Sequence, residues 1–254
     1  MKIRAVALNT FKEAIRDRIL YLLLFFAAVS FILSRLLSLL TVGDKTKIII
    51  DAGLSSLSIF GVLMAILMGT GLVYKEIDKK TVYTLLSKPI SRNQFILGKF
   101  LGLIITLFIM LLVMTAIFFI IILLHSGTIS WKLFVSLGFV FLELCLITSV
   151  ALLFSCFSTP ILSSIFSLSF YLIGHLSWGL ETLIKKMSPG ITKILTQVAY
   201  TLLPDLENFN FKTEVVHNLP IQPEMFLFSF FYGITYTFFI LMLAMLVFRK
   251  RDFI

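Results

Sequence analysis

Six long apolar runs dominate the chain, near Ile19–Leu40, Leu57–Val73, Gly98–Leu124, Leu133–Leu153, Ile161–Leu180 and Met225–Phe248. Each is close to the ~20 residues that an α-helix needs to cross a bilayer. None shows the two-residue alternation of a transmembrane β-strand. The fourth and fifth runs are separated only by Phe154-Ser155-Cys156-Phe157-Ser158-Thr159-Pro160. Pro160 has no backbone N–H and is the natural breaker there. Without it the two runs would form one helix far longer than the ~17–25 residues a bilayer accepts. The pattern predicts an all-α polytopic membrane protein with six transmembrane helices.

Residues 1–18 are patterned differently. Ile3, Val6, Ala7, Phe11, Ala14 and Ile15 recur at helical spacing, with Lys2, Arg4, Lys12, Glu13 and Arg16 between them. That predicts an amphipathic N-terminal helix, cationic on its wet face and suited to the membrane interface; a solvated extension of the first span is the plainer alternative. Residues 19–254 then form the six-span domain. Within it, 74–97 joins spans two and three, and 181–224 is the largest piece outside the membrane. The latter is too apolar for a simple linker. Ile191, Leu195, Val198 and Leu202 share one helical face between Pro189-Gly190 and Pro204, and a polar–aromatic stretch, Asp205–Phe211, follows. No internal repeat is evident, and no matched pair of interrupted helices supports an inverted-repeat transporter.

Composition agrees with the pattern. Of 254 residues, 59% are hydrophobic and 14% charged, against ~45–50% and ~25% in soluble domains. The net charge of +9 would point to nucleic acid in a soluble protein. No basic–aromatic recognition surface accompanies it, so no nucleic-acid partner is expected, and the positive-inside bias accounts for it better. Fourteen Lys and Arg fall on the side of the N-terminus, the connection between spans two and three (counted through Lys99) and the C-terminus; seven fall on the other, four of them in the long 181–224 loop. Both termini are therefore expected to be cytoplasmic, in an integral membrane protein. The first apolar run is too long for the ~7–15-residue core of a cleaved signal peptide. Cys145 and Cys156 lie on one predicted helix, ~16 Å apart along its axis, too far to pair.

The segment Tyr74–Lys99, YKEIDKKTVYTLLSKPISRNQFILGK, interleaves charge with Ile77, Val82, Leu85, Leu86, Ile90, Phe95 and Ile96. It is longer than the ~2–8 residues that usually join bundle helices. It reads as a short amphipathic helix docking on a partner or on anionic lipid, with Ser91 capping the next helix. It resembles the cytoplasmic coupling region of ABC-transporter permeases of the type-2 exporter class. That pattern runs glutamate, Thr, Leu-Leu, Pro, Ser/Thr-Arg, Gly-Lys, matched here by Glu76, Thr81 or Thr84, Leu85-Leu86, Pro89, Ser91-Arg92 and Gly98-Lys99. Lys80 stands where the usual glycine precedes the first Thr. Asn9–Arg18 is similar to that family's N-terminal interfacial helix, and Leu203-Pro204-Asp205 with Asn208-Phe209 to its outer loop before the last span.

The resemblance implies a permease subunit, usually paired with a second six-span copy and driven by a separate cytoplasmic ATPase dimer, in a prokaryotic inner membrane. Glu76, Asp78, Lys79, Thr81, Leu85, Leu86, Pro89, Ser91 and Arg92 would then meet the ATPase. The chain itself lacks G-x-x-x-x-G-K-[ST], since Gly98-Lys99-Phe100 has neither the leading glycine nor the Ser/Thr. ATP and Mg²⁺ are thus expected on the partner, no cofactor on this chain, and no enzyme activity in it. The runner-up is a membrane scaffold of the same fold that moves no solute.

Glu143 lies deep in span four. A charge there costs ~2.5–3.5 kcal/mol on insertion scales. Leu133–Leu153 holds 14 Leu, Ile, Val or Phe residues, which together supply on the order of −4 to −8 kcal/mol. The span inserts, with Glu143 turned inward. His175 in span five and Arg35 in span one are at matching depth. A substrate or proton-relay site is one reading; an internal hydrogen bond that fixes packing is the plainer and preferred one. Arg35 by itself reads as snorkelling to the headgroups. Gly98-x-x-x-Gly102 could let helices approach closely, and Ser163, Ser164, Ser167 and Ser169 could bond across helices or line a polar path. His125 and His217 have no ligand partners at metal-site spacing, so no metal site is expected. H-E-x-x-H is absent, and the span-five serines share one helix with His175, which argues against intramembrane proteolysis. The cargo stays open: lipid, peptide, drug-like or cationic.

Overall fold

A computed structural model describes residues 2–16, 44–78, 91–125, 129–177 and 204–250, with scattered positions within 23–36 and 184–197. The described residues are helical apart from turns. The helices are α1 (Lys2–Arg16), α2 (Lys45–Asp78), α3 (Arg92–His125), α4 (Lys132–Ser155), α5 (Pro160–His175), α6 (Lys212–Val216) and α7 (Pro223–Lys250), with a 3-10 turn at Leu206–Phe209 before α6. Four of them, α2, α3, α4 and α7, are long and apolar enough to cross a membrane. The first predicted span, with Arg35, falls mostly outside the described residues.

Two boundaries differ from the expectation. Helix α2 begins at Lys45 rather than Leu57. Lys45, Lys47 and Asp51 are exposed while Ile49 and Leu54 are buried, so charge on one face lowers the hydropathy without interrupting the helix. Helix α5 ends at His175, 16 residues in all, or ~24 Å, and residues 178–183 lie outside the description. Its start is as expected: Thr159 is extended (φ −73°, ψ 160°) and Pro160 occupies the first turn, where its missing N–H costs nothing.

Helix α4 is the centre of the bundle. Leu146, Ile147, Ala151 and Leu152 are fully buried, and α4 packs against α2, α3, α5 and α7. The outward faces of α5 and α7 are rich in exposed Leu, Ile and Phe, as a lipid solvent permits. Val6 of α1, Phe95 of α3, Cys156 after α4 and Phe248 of α7 share one cluster. Both ends of the described chain therefore lie at one end of the bundle, the α1 end. At the opposite, loop end, the segment 204–216 folds into the bundle instead of lying over it: Leu206, Phe209 and Phe211 are buried in the main core. Phe211 stacks on Phe139 at 4.3 Å between ring centroids, and Phe226 of α7 meets the same ring edge-on.

Candidate functional sites at the two ends of the bundle

At the α1 end, α1 lies in a groove of α3 made by Gly98 and Gly102. A Cβ on Gly98 would sit 2.6 Å from Val6 Cβ, and one on Gly102 2.6 Å from both the Ala7 carbonyl and Thr10 Cβ. Only glycine admits this approach, and the spacing is the small-xxx-small pair read in the sequence. Beside the groove, Lys99 is buried, its ammonium 3.5 Å from Glu13 on α1 and 5.9 Å from the Phe95 ring centroid.

Ser91 caps α3 as expected. Its hydroxyl accepts from Gln94 N–H (3.3 Å), and Gln94 Oε1 accepts from Ser91 N–H (3.2 Å), a reciprocal capping box. Arg92 reaches across to the last turn of α7 and donates to the carbonyls of Arg249 (2.9 Å) and Phe248 (3.4 Å). A cation there satisfies carbonyls that have no helical partner and meets the negative end of the helix dipole. Glu76 and Asp78 lie on the last turn of α2, with no side-chain placement described; Lys79, Thr81, Leu85, Leu86 and Pro89 lie outside the described residues. Of the residues assigned to ATPase contact, the structure thus places Ser91 and Arg92 together, beside the C-terminus of α7.

The second site lies halfway along α4. Glu143 is 3% exposed. Its Oε1 is 2.6 Å from His175 Nε2 at the last turn of α5, and its Oε2 accepts from Ser58 of α2 at 3.2 Å. Tyr171 OH stands 3.5 Å from the same Ser58 hydroxyl, and the Tyr171 and His175 rings meet edge-on. The other imidazole nitrogen, Nδ1, is 3.3 Å from Glu207 Oε2. Glu207 belongs to the 3-10 turn, which folding brings to the level of His175: a Cβ on Gly174 would lie 2.6 Å from Leu206 Cγ.

Asp205 fixes that turn. Its Oδ1 accepts from Glu207 N–H and the Ser177 hydroxyl, its own N–H donates to Tyr232 OH at 2.8 Å, and its carbonyl accepts from Asn208. The Asn210 amide donates to Glu207 Oε1 at 2.6 Å. The imidazole nitrogen on Oε2 holds Glu207 below the usual carboxylate range; partial burial opposes this, and Asn210 and the charge of Lys212 add to it.

Of the two partners expected for Glu143, the structure places His175 against it; Arg35 lies outside the described residues. Glu207, Asp205 and Ser58 were not anticipated. One signal was available: Ser163, Ser167, Tyr171 and His175 recur every fourth residue on α5, a polar stripe on one face. It continues inward as Ser163 to Ser158 at 2.6 Å and Ser164 to Thr70 at 3.0 Å. At the loop end a cleft of about 640 Å³ is lined by Asp44, Lys47, Asp51, Thr213 and His217 among others. The Lys47 ammonium, 2.6 Å from Asp44, holds that carboxyl below its ordinary value. Among the described residues no group of three His, Cys, Asp or Glu is placed to hold a metal.

The family model described as ABC-2 family transporter protein matches residues 4–253. A search of curated protein sequences finds no match. The chain belongs to the ABC-2 transporter family and is an integral membrane protein, a permease component of an ABC transporter.

Proposed function

We propose that this ABC-2 family member is the membrane subunit of an ATP-driven exporter, moving cargo out of a prokaryotic cell while a partner subunit hydrolyses ATP with Mg²⁺. The family match over residues 4–253 carries the reading. The chain crosses the inner membrane six times with both termini cytoplasmic, and works with a second permease copy. The ATPase dimer grips 74–97 through Glu76, Asp78, Lys79, Thr81, Leu85, Leu86, Pro89, Ser91 and Arg92. The placement of Ser91 and Arg92 supports this. They begin α3 at the end where α1 is seated and α7 terminates, so force on the segment before them would reach three helices directly. Energy then enters as a rigid-body shift of packed helices, which need only small displacements to switch between discrete arrangements.

The test is purification of the complex with its native ATPase and reconstitution into liposomes. Cargo-stimulated ATP hydrolysis is expected, lost in Glu76→Lys and Lys79→Glu with assembly weakened. Because Arg92→Glu would also disturb the end of α7, the two upstream variants decide. If both assemble and hydrolyse like the parent, the coupling assignment fails. ATPase activity that no cargo stimulates would favour a scaffold instead.

A further inference from the structure

His175 stands between two carboxylates, one on each ring nitrogen. Each of these contacts needs a proton. A neutral imidazole carries one N–H and one bare nitrogen. The trio therefore holds two protons in either of two ways: an imidazolium between two carboxylates, or a neutral imidazole with one carboxyl protonated. Net charge is the same in both, so a proton can move from one carboxylate to the other without adding charge to the bundle. An imidazole is the side chain suited to this, because it accepts on one nitrogen as it donates from the other.

The surroundings give the trio a direction. Glu143, at mid-bundle, is closed off: it is 3% exposed, and its second oxygen is held by Ser58, with Tyr171 beyond. Glu207 has 44% of its side chain exposed and His175 23%. The groups facing the trio are Ser58 from α2, Tyr171 from α5, Asp205 from the turn, Lys212 from α6 and, through Asp205, Tyr232 from α7. A continuous polar route from Glu143 toward the surface runs through His175 to Glu207, the most exposed member of the trio.

We propose that Glu143 is a proton-exchange site at the centre of the bundle, connected to the loop end by a relay through His175 and Glu207. From a trio holding one proton, on Nε2 of a neutral ring between two ionised carboxylates, a proton arriving on Glu207 Oε2 supplies the second and passes to Nδ1; the Nε2–H bond breaks and its proton goes to Glu143 Oε1. Glu207 is left ionised, the ring neutral with its proton on Nδ1, and Glu143 protonated. No electron moves and no co-reactant is used. The permease then senses acidity at its loop end, in addition to any drive from a partner.

The full chain in lipid nanodiscs tests this by infrared difference spectroscopy, with protons and deuterons as the probe, independently of any ATPase or cargo. Acidification from neutral pH should produce a protonated-carboxyl band that disappears in Glu143→Gln. On transfer to D₂O that band should shift rapidly in the parent and about tenfold or more slowly in His175→Gln and Glu207→Gln. The glutamine amide N–H donates to one carboxylate, and its oxygen accepts from the other only when that one is protonated; it cannot pass a proton, so His175→Gln keeps a polar group at the site and removes the relay, and His175→Phe checks for loss of fold. The proposal is overturned if the new band belongs to Glu207 alone, if none depends on Glu143, or if His175→Gln exchanges as fast as the parent.

Discussion

The seat of α1 on α3 predicts an opposite response to the same mutation at different glycines. Gly71 and Gly138 are helical, and a Cβ on either would meet nothing within 4 Å. Alanine at each should stabilise by about 0.5–1 kcal/mol, through reduced chain entropy. Gly98 and Gly102 would gain the same, but their Cβ atoms would sit 2.6 Å from atoms of α1. One of these, the Ala7 carbonyl oxygen, is backbone and cannot swing aside, so α1 must lift. Overpacking of this kind costs about 1–3 kcal/mol per site. The double variant Gly98→Ala/Gly102→Ala is therefore expected to be about 2–6 kcal/mol less stable than Gly71→Ala/Gly138→Ala. At ~2–4 °C per kcal/mol, the two should melt at least about 4 °C apart.

Cys156 supplies the assay. It is fully buried in the cluster that Val6 of α1 completes. In a Cys145→Ala background, a thiol-reactive fluorophore reports its exposure on heating. The Gly98/Gly102 double should label earlier than the parent and the Gly71/Gly138 double later. Equal melting of the two doubles would refute the close approach of α1 to α3, and with it the transmission of force into that helix.

Two further predictions follow from single residues. Arg92→Ala should cost about 0.3–1 kcal/mol, by releasing the α7 carbonyls, and should raise amide exchange in the last turn of α7; Arg92→Lys should recover part of the loss. An unchanged last turn in Arg92→Ala would count against the cap. Glu207 is held below its ordinary value of 4.5, so its contribution to docking of 204–216 is fully present above that pH and is lost as pH falls through the lowered value. Proteolysis or amide exchange of that segment should accelerate in that acid window, and Glu207→Gln should remove the dependence.

The sequence made much of this legible, because burial in lipid and helix periodicity are local signals. The centre of α4, the break at Pro160, the Ser91 cap and the Gly98–Gly102 pair all follow from residues within one or two turns. Glu143 was legible as inward-facing because its cost has to be met. The beginning of α2 was hidden, since Lys45, Lys47 and Asp51 resemble a loop when averaged over a window. The role of Glu207 was hidden for a different reason. It lies 64 residues from Glu143 in a stretch without periodicity, and its position depends on the turn being drawn into the core by Leu206, Phe209 and Phe211. Arg92 shows the converse: a motif position read for a partner makes an intramolecular contact, with the end of α7.

The length of α5 ties these observations together. At ~24 Å it falls short of the ~30 Å hydrocarbon layer, and irregular backbone is tolerated at that depth only where protein satisfies its polar groups. Residues 204–211 meet that requirement. Asp205, Asn208 and Tyr232 take up N–H and C=O groups of the turn, while Leu206 packs on α5, Phe211 on α4 and Phe209 beside Tyr232 of α7. Because α5 stops at His175, the imidazole sits at a helix end with both nitrogens accessible, one toward α4 and one toward the returning chain. The shortened helix, the inserted loop and the carboxylate–imidazole–carboxylate chain are thus one structural solution, and a charge can reside at mid-bundle because the loop comes in to meet it.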